Sequence, residues 1–514
     1  MQTINTFYYG LVFTSALLLY GCGSGSSNKP DTTETTEFPE SAIDNVAPRL
    51  TQLSPDNNAS VHSRLVTVRG RVSDDNALTS VVISYNDERI IASLEGDRFS
   101  AVIEATAGAN TYSVIATDEA NNEAIASETF YFGARASAGG AHSGVIKNAN
   151  IYTWGRNNKG QSGLGFISSI NDDAANAEGA HPIMPTLVPV PTANGESVKM
   201  VSLAFNQNAS SALDTQGNVW SWGNGSDGQL GLGAAGDNVI DEAGHTTPQK
   251  IHAISDVIAI SRGSAHCLLL KTDGTVFAFG RNQEGQLGDG SHNTHDSPVK
   301  VSGLTNIVQV SASASSYAID GDGNLWAWGS NRYGQLGNGL VDDNAHPIPT
   351  QILINEPVVS VASGKGHALA LTASGAVYGW GLNASHQVGP HTWGENILMP
   401  QLLPWFDDVT AIWAKGNQSF IQREDGNIYP WGQNMLGTLG IEKDGDIAQP
   451  DSPITGLDNV IDLGNGALHT LAMRSDGEFF TWGWSFEGSL GGGESTANLW
   501  SYRVPLLVSF SESP

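Results

Sequence analysis

Basic residues are scarce in this chain. Its 514 residues include 24 Lys and Arg against 52 Asp and Glu, which gives a formal net charge of −28. Nucleic-acid binding needs clustered Lys and Arg to neutralise phosphates, and an anionic membrane surface attracts basic proteins in the same way. The deficit argues against both, and we predict no nucleic-acid partner.

Cysteine is almost absent as well. The two cysteines, Cys22 and Cys267, cannot build a disulfide framework. The common catalytic motifs are also missing: there is no nucleophile elbow, H-E-x-x-H, P-loop or C-x-x-C. Two G-x-G-x-x-G matches, residues 223–228 and 231–236, lie in a Gly-rich loop with no helix after it, so they reflect glycine density. We predict no catalytic residue, no metal site and no cofactor.

The hydrophobic run at the N-terminus, residues 10–22, is short. It falls below the ~20 apolar residues that span a bilayer, which indicates a signal-peptide core. Its end, LYGC, resembles a bacterial lipobox, and the resemblance implies a signal peptide over residues 1–21 and acylation of Cys22. It also implies a place at the outer membrane or cell surface, held by the lipid alone. The first ten residues lack Lys and Arg, which leaves a plain secretory signal or an uncleaved anchor as the alternative.

Two further segments precede the repeats. Residues 22–45 are Gly/Ser-rich and then Thr/Glu-rich, which predicts a disordered tether. Residues 46–133 contain seven alternating segments with Asp-Asn, Asn-Asp and Gly-Asp turns, a pattern typical of an immunoglobulin-like β-sandwich. The stretch GDRFSAVIEATAGANTYSVIATDEANN resembles bacterial surface immunoglobulin-like modules. The acidic turns Asp74–Asp75 and Asp118–Glu119 leave calcium binding open as an alternative, and we favour solvated turns.

Residues 134–514 repeat one phrase seven times. A short apolar strand is followed by a tight turn, a second strand ending in an aromatic-glycine pair, and a loop of G-Q-L-G type. The seven aromatic positions are Trp154, Trp222, Phe279, Trp328, Trp380, Trp431 and Trp482. The phrase, complete in residues 261–290, resembles the repeat of the regulator of chromosome condensation family. That resemblance implies a seven-bladed β-propeller.

Four of the seven units carry a histidine at the same position of the repeat, and the other three carry another residue there. The histidines are His142, His266, His367 and His469, and the replacements are Ala209, Ser315 and Gln418. Because the histidines lie on different units, we predict buried side chains that bond neighbouring backbone, and no metal.

The C-terminus suggests how the propeller closes. Later units begin with a strand of P-x-x-V type that the first unit lacks, while a similar strand, RVPLLVSF, stands at residues 503–510. We therefore predict that residues 503–510 pair with the first blade. The predicted fold class is all-β: a seven-bladed β-propeller with an N-terminal immunoglobulin-like β-sandwich.

The insertions between repeats are acidic and fall at one point of the repeat, so we expect them on one face. Their acidic residues are Asp172, Asp173, Glu178, Asp237, Asp241, Glu242, Asp342, Asp343, Glu442, Asp444 and Asp446. His181, His245 and His346 add groups that titrate near neutral pH. Two interpretations stay open: solubility of a secreted protein, or a docking face for a basic protein surface or for cations.

From these features we predict a monomeric, non-catalytic, lipid-anchored envelope protein that binds another protein through its loop face. The family resemblance carries one alternative, guanine-nucleotide exchange on a small GTPase, although export separates the chain from such an enzyme. A second alternative is polysaccharide binding or modification, since Trp393, Trp405 and Trp500 fall in loops between repeats. No carboxylate pair stands out as acid and base for modification.

Overall fold

The structure is a computed structural model that describes residues 44–75, 77–168, 181–190, 197–233, 245–390, 394–405, 408–493 and 500–510. The described residues from Val46 onward belong to one compact unit. The predicted signal peptide, Cys22 and nearly all of the predicted tether lie outside the described residues. Within the described ranges, every helix is too short or too polar to cross a membrane.

An N-terminal module of two sheets opens this unit. Its strands are β1 (Arg49–Ser54), β2 (Ser60–Val61), β3 (Leu65–Ser73), β4 (Leu78–Tyr85), β5 (Glu88–Ile91), β6 (Ser93–Glu95), β7 (Arg98–Glu104), β8 (Gly108–Asp118) and β9 (Glu123–Phe132). One sheet has the order β1-β3-β7-β6 and the other β2-β9-β8-β4-β5. Alternate residues of β3 and β8 are buried, and Val68 and Val114 share one apolar cluster. The period-two pattern thus places one face of each sheet in a common core.

The module differs from the sequence prediction in two respects. One of the seven alternating segments counted as strands, RIIASLEG at residues 89–96, forms β5 and β6 in different sheets, and the chain crosses between them at buried Ala92. The two-residue strand β2 was missed because it is too short to show an alternating pattern. Asp118, expected in a solvated turn, is fully buried, and its carboxylate accepts hydrogen bonds from the backbone N–H and side-chain amide of Asn122.

Seven successive antiparallel sheets follow, numbered here sheet 1 to sheet 7 along the chain, and in each the chain order is the spatial order. The inner strands are β10 (Ala136–Ala138), β14 (Met200–Phe205), β18 (Val257–Arg262), β22 (Ile307–Ala312), β26 (Val358–Ser363), β30 (Val409–Lys415) and β33 (Val460–Asn465). The second strands are β11 (His142–Lys147), β15 (Ala209–Asp214), β19 (His266–Lys271), β23 (Ser315–Asp320), β27 (His367–Thr372), β31 (Gln418–Arg423) and β34 (His469–Arg474).

The outer half of each sheet carries the aromatic-glycine pairs. The third strands are β12 (Asn150–Gly155), β16 (Val219–Gly223), β20 (Val276–Gly280), β24 (Leu325–Asn331), β28 (Val377–Gly381), β32 (Ile428–Gly432) and β35 (Phe479–Trp484). The fourth strands are β13 (Thr186–Leu187), β17 (His245–Lys250), β21 (His295–Lys300), β25 (Asp342–Ile352), β29 (Ile397–Leu403) and β36 (Ser501–Leu507). Sheet 6 has three strands, with a bridge between Gly432 and Ile447 at its outer edge. Short 3-10 turns at Met435–Gly437 and Phe486–Gly488 complete the description.

The repeat and the sheets are in register. In each sheet the residue at the histidine position pairs with the glycine of the aromatic-glycine pair, as His266 does with Gly280. That glycine has φ +106, and a Cβ on it would lie 2.4 Å from the carbonyl oxygen of Ala265. Only glycine fits this backbone conformation and this close approach. At the opposite end, Gly274 of the D-G turn has φ +74, as the predicted hairpin turn requires.

Side chains of one sheet cap the inner edge of the next. Ser137 Oγ accepts a hydrogen bond from the backbone N–H of Phe205 at 2.9 Å, which joins sheets 1 and 2. Sheets 7 and 1 meet in the same manner, because the Asp462 carboxylate accepts from the backbone N–H groups of Arg135 at 2.5 Å and Ala136 at 3.0 Å. Residues separated by more than 300 positions along the chain are therefore direct neighbours.

The predicted pairing of residues 503–510 with the first sheet is wrong. Strand β36 pairs with β35 of sheet 7, and the outer place in sheet 1 is taken by β13. The sequence signal for β13 is the stretch PTLV at residues 185–188, a P-x-x-V phrase that the prediction overlooked. The end of the C-terminal segment still reaches sheet 1, since the ring of Phe510 lies edge-on to Tyr152 at 5.4 Å.

The N-terminal module packs against one end of the sheets. Arg64 donates its backbone N–H to the carbonyl oxygen of Val308 at 2.8 Å and its guanidinium to that of Thr272 at 2.6 Å. Asn58 donates its side-chain amide to the carbonyl oxygen of Ser475 at 3.2 Å. Thr272 and Ser475 belong to turns between second and third strands. We call this end of the sheets the hairpin face and the opposite end, which carries the G-Q-L-G loops and the insertions, the loop face.

Candidate functional site

The repeated tryptophans hold neighbouring sheets together. Each is fully buried, and its indole N–H donates to a carbonyl oxygen in the G-Q-L-G loop of the preceding sheet. Trp222, for example, donates to Gln161 at 2.9 Å. Trp154 of sheet 1 donates to Ser489 of sheet 7 at 2.9 Å, so the same contact joins the last sheet to the first. These rings are enclosed between neighbouring sheets and are not available to a ligand.

The four histidines lie at contacts between sheets. Their Nε2–Oγ distances to serines of the following sheet are 3.0 Å for His142–Ser210, 2.8 Å for His266–Ser316, 2.9 Å for His367–Ser419 and 2.8 Å for His469–Ser143. Each serine hydroxyl donates to a loop carbonyl, as Ser210 does to Gln161, so its lone pairs accept the imidazole N–H. The hydrogen-bond partner of each imidazole is therefore a serine side chain and not the neighbouring backbone that was predicted. The loop carbonyl already accepts a hydrogen bond from the serine hydroxyl.

A glycine three residues before each histidine makes room for the ring. A Cβ at Gly364 would lie 2.1 Å from Cε1 of His367, and one at Gly139 would lie 2.3 Å from Cε1 of His142. The sheets without a histidine carry Asn206, Ala312 and Lys415 at the glycine position. The pattern G-x-x-H therefore marks the odd-numbered sheets, and it reflects packing and not metal binding.

The protonation state of these histidines follows from their burial. Burial lowers the pKa of His142, His266 and His367 to about 3, and that of His469 to about 4. The imidazoles are neutral at pH 7, because a buried cation without a counterion is unfavourable. We assign them a structural role.

The acidic loop residues divide into two groups. Six lie outside the described residues: Asp172, Asp173, Glu178, Asp237, Asp241 and Glu242. Among the others, Asp343 pairs with Arg332 at 3.3 Å and Asp444 pairs with Arg503. Asp446 accepts from the backbone N–H of Asn434 at 3.3 Å. Asp343 and Asp444 keep most of their surface exposed on the loop face, with side-chain exposures of 87% and 88%.

Two loop histidines have defined surroundings. His346 lies 3.0 Å from the carboxylate of Asp342, which also accepts from Asn331. His181 accepts the backbone N–H of Asn157 at Nδ1, and burial lowers its pKa. A lowered pKa makes His181 a poor sensor of mild acidification.

The candidate sugar-stacking aromatics are not equivalent. Trp393 lies outside the described residues, and Trp405 is half-buried against Trp431, with ring centroids 5.6 Å apart. Trp500 is 77% exposed and stacks on Phe486 at 6.5 Å. Of the two described candidates, Trp500 is the one with an exposed ring.

Sequence reasoning missed an axial cavity of about 190 Å³ between the inner strands. Residues of all seven inner strands line it, and His62, Phe132 and Gly133 lie at its hairpin-face end. Its polar groups include Trp413 and Lys415 of β30. The available signal was the fragment WAKGN in the sixth unit, where a lysine replaces the glycine of the G-x-x-H pattern.

Comparison with known families agrees with these repeats. The model for the RCC1-like domain matches residues 105–389 and 242–512. The chain belongs to this family. A bacterial Ig domain model matches residues 48–116, so an immunoglobulin-like module precedes the RCC1-like repeats.

Curated relatives cover the repeats and differ outside them. The ultraviolet-B receptor UVR8 of Arabidopsis thaliana is 31% identical over 381 residues, which are 70% of this chain and 78% of that protein. The human E3 ubiquitin-protein ligase HERC2 is 29% identical over 374 residues, which are 70% of this chain but only 7% of HERC2. The mouse RCC1-like G exchanging factor-like protein is 27% identical over 366 residues, with 69% and 68% covered.

Solved structures of the family share the fold. Yeast RCC1 (Prp20), crystallised bound to Kap60, gives a TM-score of 0.61 at 24% identity and covers 71% of this chain and 85% of its own. Human WBSCR16 gives a TM-score of 0.57 at 20% identity, with 77% and 99% covered. The all-β fold expected from the sequence is therefore that of the RCC1 propellers.

Proposed function

We propose that this chain is an exported, lipid-anchored protein whose seven sheets form a closed propeller and whose loop face binds another protein without catalysing a reaction. The observation that carries the proposal is the position of the N-terminal module. Arg64 and Asn58 of the module bond to the hairpin face at Val308, Thr272 and Ser475. The insertions leave the sheets at the other end, where the surface differs most from one repeat to the next.

The contacts between the last and first sheets support a closed ring of seven blades. Trp154 and Ser489 bond across them, as do Ser143 and His469 and, at the inner edge, Asp462 and the backbone of residues 135–136. In a closed ring the inner edge strand of each sheet faces the central axis and is protected from pairing with another chain, which suits a protein outside the cell.

Relatives support a protein as the partner. The yeast protein was crystallised bound to Kap60, and a second study of it concerns its binding to Gsp1p and histones. For this chain, the exposed carboxylates of Asp343 and Asp444 favour a partner with a basic surface. The net charge of −28 disfavours a nucleic acid.

Nucleotide exchange is the second candidate, and it is favoured by the likeness to the mouse RCC1-like G exchanging factor-like protein. The test is release of a fluorescent guanine nucleotide from small GTPases in the presence of the purified chain. Accelerated release would support nucleotide exchange, in place of protein docking, as the main function. Glycan-array binding that depends on Trp500 would favour the polysaccharide alternative instead.

The loop face is tested by crosslinking the anchored protein in intact cells and identifying what it captures. The test variant lacks residues 169–180, so that Pro182 and Ile183, which accept hydrogen bonds from Gly155 and Gly493, stay in place. Loss of one dominant envelope protein in this variant supports the proposal.

Charge reversal gives a matched control. Asp343→Lys with Asp444→Lys changes the loop face, and Glu88→Lys with Glu123→Lys makes the same change in charge on exposed positions of the module. We expect capture to fall only in the first pair. Equal loss in both pairs, or in neither, contradicts recognition by the loop face.

The lipid anchor is a separate part of the proposal and rests on the LYGC sequence. Cys22→Ala should abolish labelling by radioactive palmitate and release the protein from the membrane fraction. Unchanged labelling would refute acylation at Cys22 without touching the docking proposal.

A further inference from the structure

The axial cavity extends from the hairpin face to the loop face. At the hairpin face, His62 and Phe132 of the module lie at its lining. At the loop face it ends beside Lys415, the last residue of β30, whose side chain is only half-buried. Just over half of the lining residues are Ala, Ser or Gly.

Two hydrogen-bond donors among the residues that line this cavity have no acceptor in the part of the chain that the structure describes. Trp413 and Lys415 are two residues apart on β30, so their side chains leave the strand on the same side. The indole N–H of Trp413 is buried and bonds to nothing among the described residues. The Lys415 ammonium likewise makes no hydrogen bond or ion pair within the described ranges.

The other ionisable groups lining the cavity do not neutralise Lys415. Asp462 directs its carboxylate to the backbone N–H groups of Arg135, Ala136 and Leu463, and it forms no ion pair with Lys415 in the described part of the chain. Arg262 directs its guanidinium away, to Ser211, Ser221 and Gln229. His62 is the remaining ionisable group and is not an anion at any pH.

We propose that the mouth of this cavity binds a carboxylate group, held by the Lys415 ammonium beside the Trp413 indole. An ammonium only donates, so the ligand must accept hydrogen bonds, and a partly buried ammonium favours a negative charge. A volume of about 190 Å³ is below the range of about 300–1,000 Å³ for drug-sized ligands, which suits a small organic acid or the end of a peptide.

The protonation of Lys415 supplies an independent readout. Burial lowers the pKa of Lys415 to about 8, so the ammonium is the major form at pH 7 and the minor form at pH 9.5. A bound carboxylate stabilises the charged form and raises this pKa. Binding should therefore take up protons near pH 8 and weaken by tenfold or more at pH 9.5.

The test is titration of the full chain, with indole-15N tryptophan labelling, against four probes. Acetate and propionate represent a free organic acid, and acetyl-Gly-Gly with a free or an amidated C-terminus represents a peptide end. We expect saturable shifts of the Trp413 indole signal with a free carboxylate and none with the amide. Response to acetate and propionate identifies a small acid as the ligand, and response to the free peptide alone identifies a protein terminus.

Two lysines give matched variants. Lys415→Met removes the charge and should weaken binding at least tenfold, whereas Lys365→Met changes an exposed lysine on the neighbouring turn and should not. Lys415→Met should fold as well as the parent, because it removes a partly buried charge without a partner. Equal binding in Lys415→Met and the parent, or no saturable shift with any probe, overturns the proposal.

Discussion

Mild acid should destabilise the repeats through their buried histidines. The pKa of three of them lies at about 3 and of one at about 4 in the folded chain, against about 6.5 in the unfolded chain. Below pH 6.5 the unfolded state therefore binds more protons, and stability falls as the pH falls, until the folded pKa is reached. At pH 5 each histidine costs about 2 kcal/mol, and the four together about 8 kcal/mol.

The variant His266→Gln isolates one of these contributions. Sheet 6 already carries Gln418 at the equivalent position, so glutamine suits this site. When urea unfolding is measured at pH 7.5 and pH 5.0, the unfolding free energy should fall by about 2 kcal/mol less in the variant than in the parent.

Ser316→Ala is the control for this experiment. It removes the hydroxyl that lies 2.8 Å from His266 but keeps the titrating group. It should lower stability at both pH values and leave the pH-dependent loss unchanged. If His266→Gln and the parent lose equal stability on acidification, the histidine is protonated in the folded state and the reasoning fails.

Three further predictions concern the packing of the sheets. Asp462→Ala leaves the backbone N–H groups of Arg135, Ala136 and Leu463 without their charged acceptor and should cost roughly 3–6 kcal/mol in urea unfolding. Ser137→Ala should cost roughly 1–3 kcal/mol, and equal costs would contradict the closing contact. Gly288→Ala should lower the unfolding free energy by about 1–3 kcal/mol more than Gly290→Ala, as measured by thermal melts. Both glycines have positive φ, but a Cβ at Gly288 would lie 2.7 Å from Trp328 Nε1, whereas one at Gly290 would contact nothing within 4 Å. Burial raises the pKa of the Cys267 thiol to about 11, so in a Cys22→Ala background maleimide at pH 7 should label the chain only in urea, and rapid labelling of the native chain would disprove the burial of Cys267.

The repeated elements were predictable because each rests on a local signal. The aromatic-glycine pairs and the D-G turns fix the hairpins, and their spacing alone implies equivalent sheets. The outer strand of sheet 1 was assigned wrongly, since PTLV at residues 185–188 follows a long insertion that hides its phase. Deciding between β13 and β36 for that place required the pairing itself, which depends on packing and not on pattern.

The candidate site was less accessible to sequence reasoning. The acidic loops were found because charge is visible in composition. The axial cavity was not found, because the inner strands that surround Trp413 and Lys415 come from six other sheets that are distant in the sequence. The histidines were recognised as buried, but their serine partners lie some 50 to more than 300 residues away.

The central claim is that sheet 7 contacts sheet 1 in the same way as the other successive sheets contact each other. A double-mutant cycle on His469 and Ser143 measures this directly, with His266 and Ser316 as the reference pair. Unfolding free energies of the single and double alanine variants should give a coupling of about 0.5–1.5 kcal/mol for both pairs. Coupling in the reference pair together with none between His469 and Ser143 would contradict a closed ring.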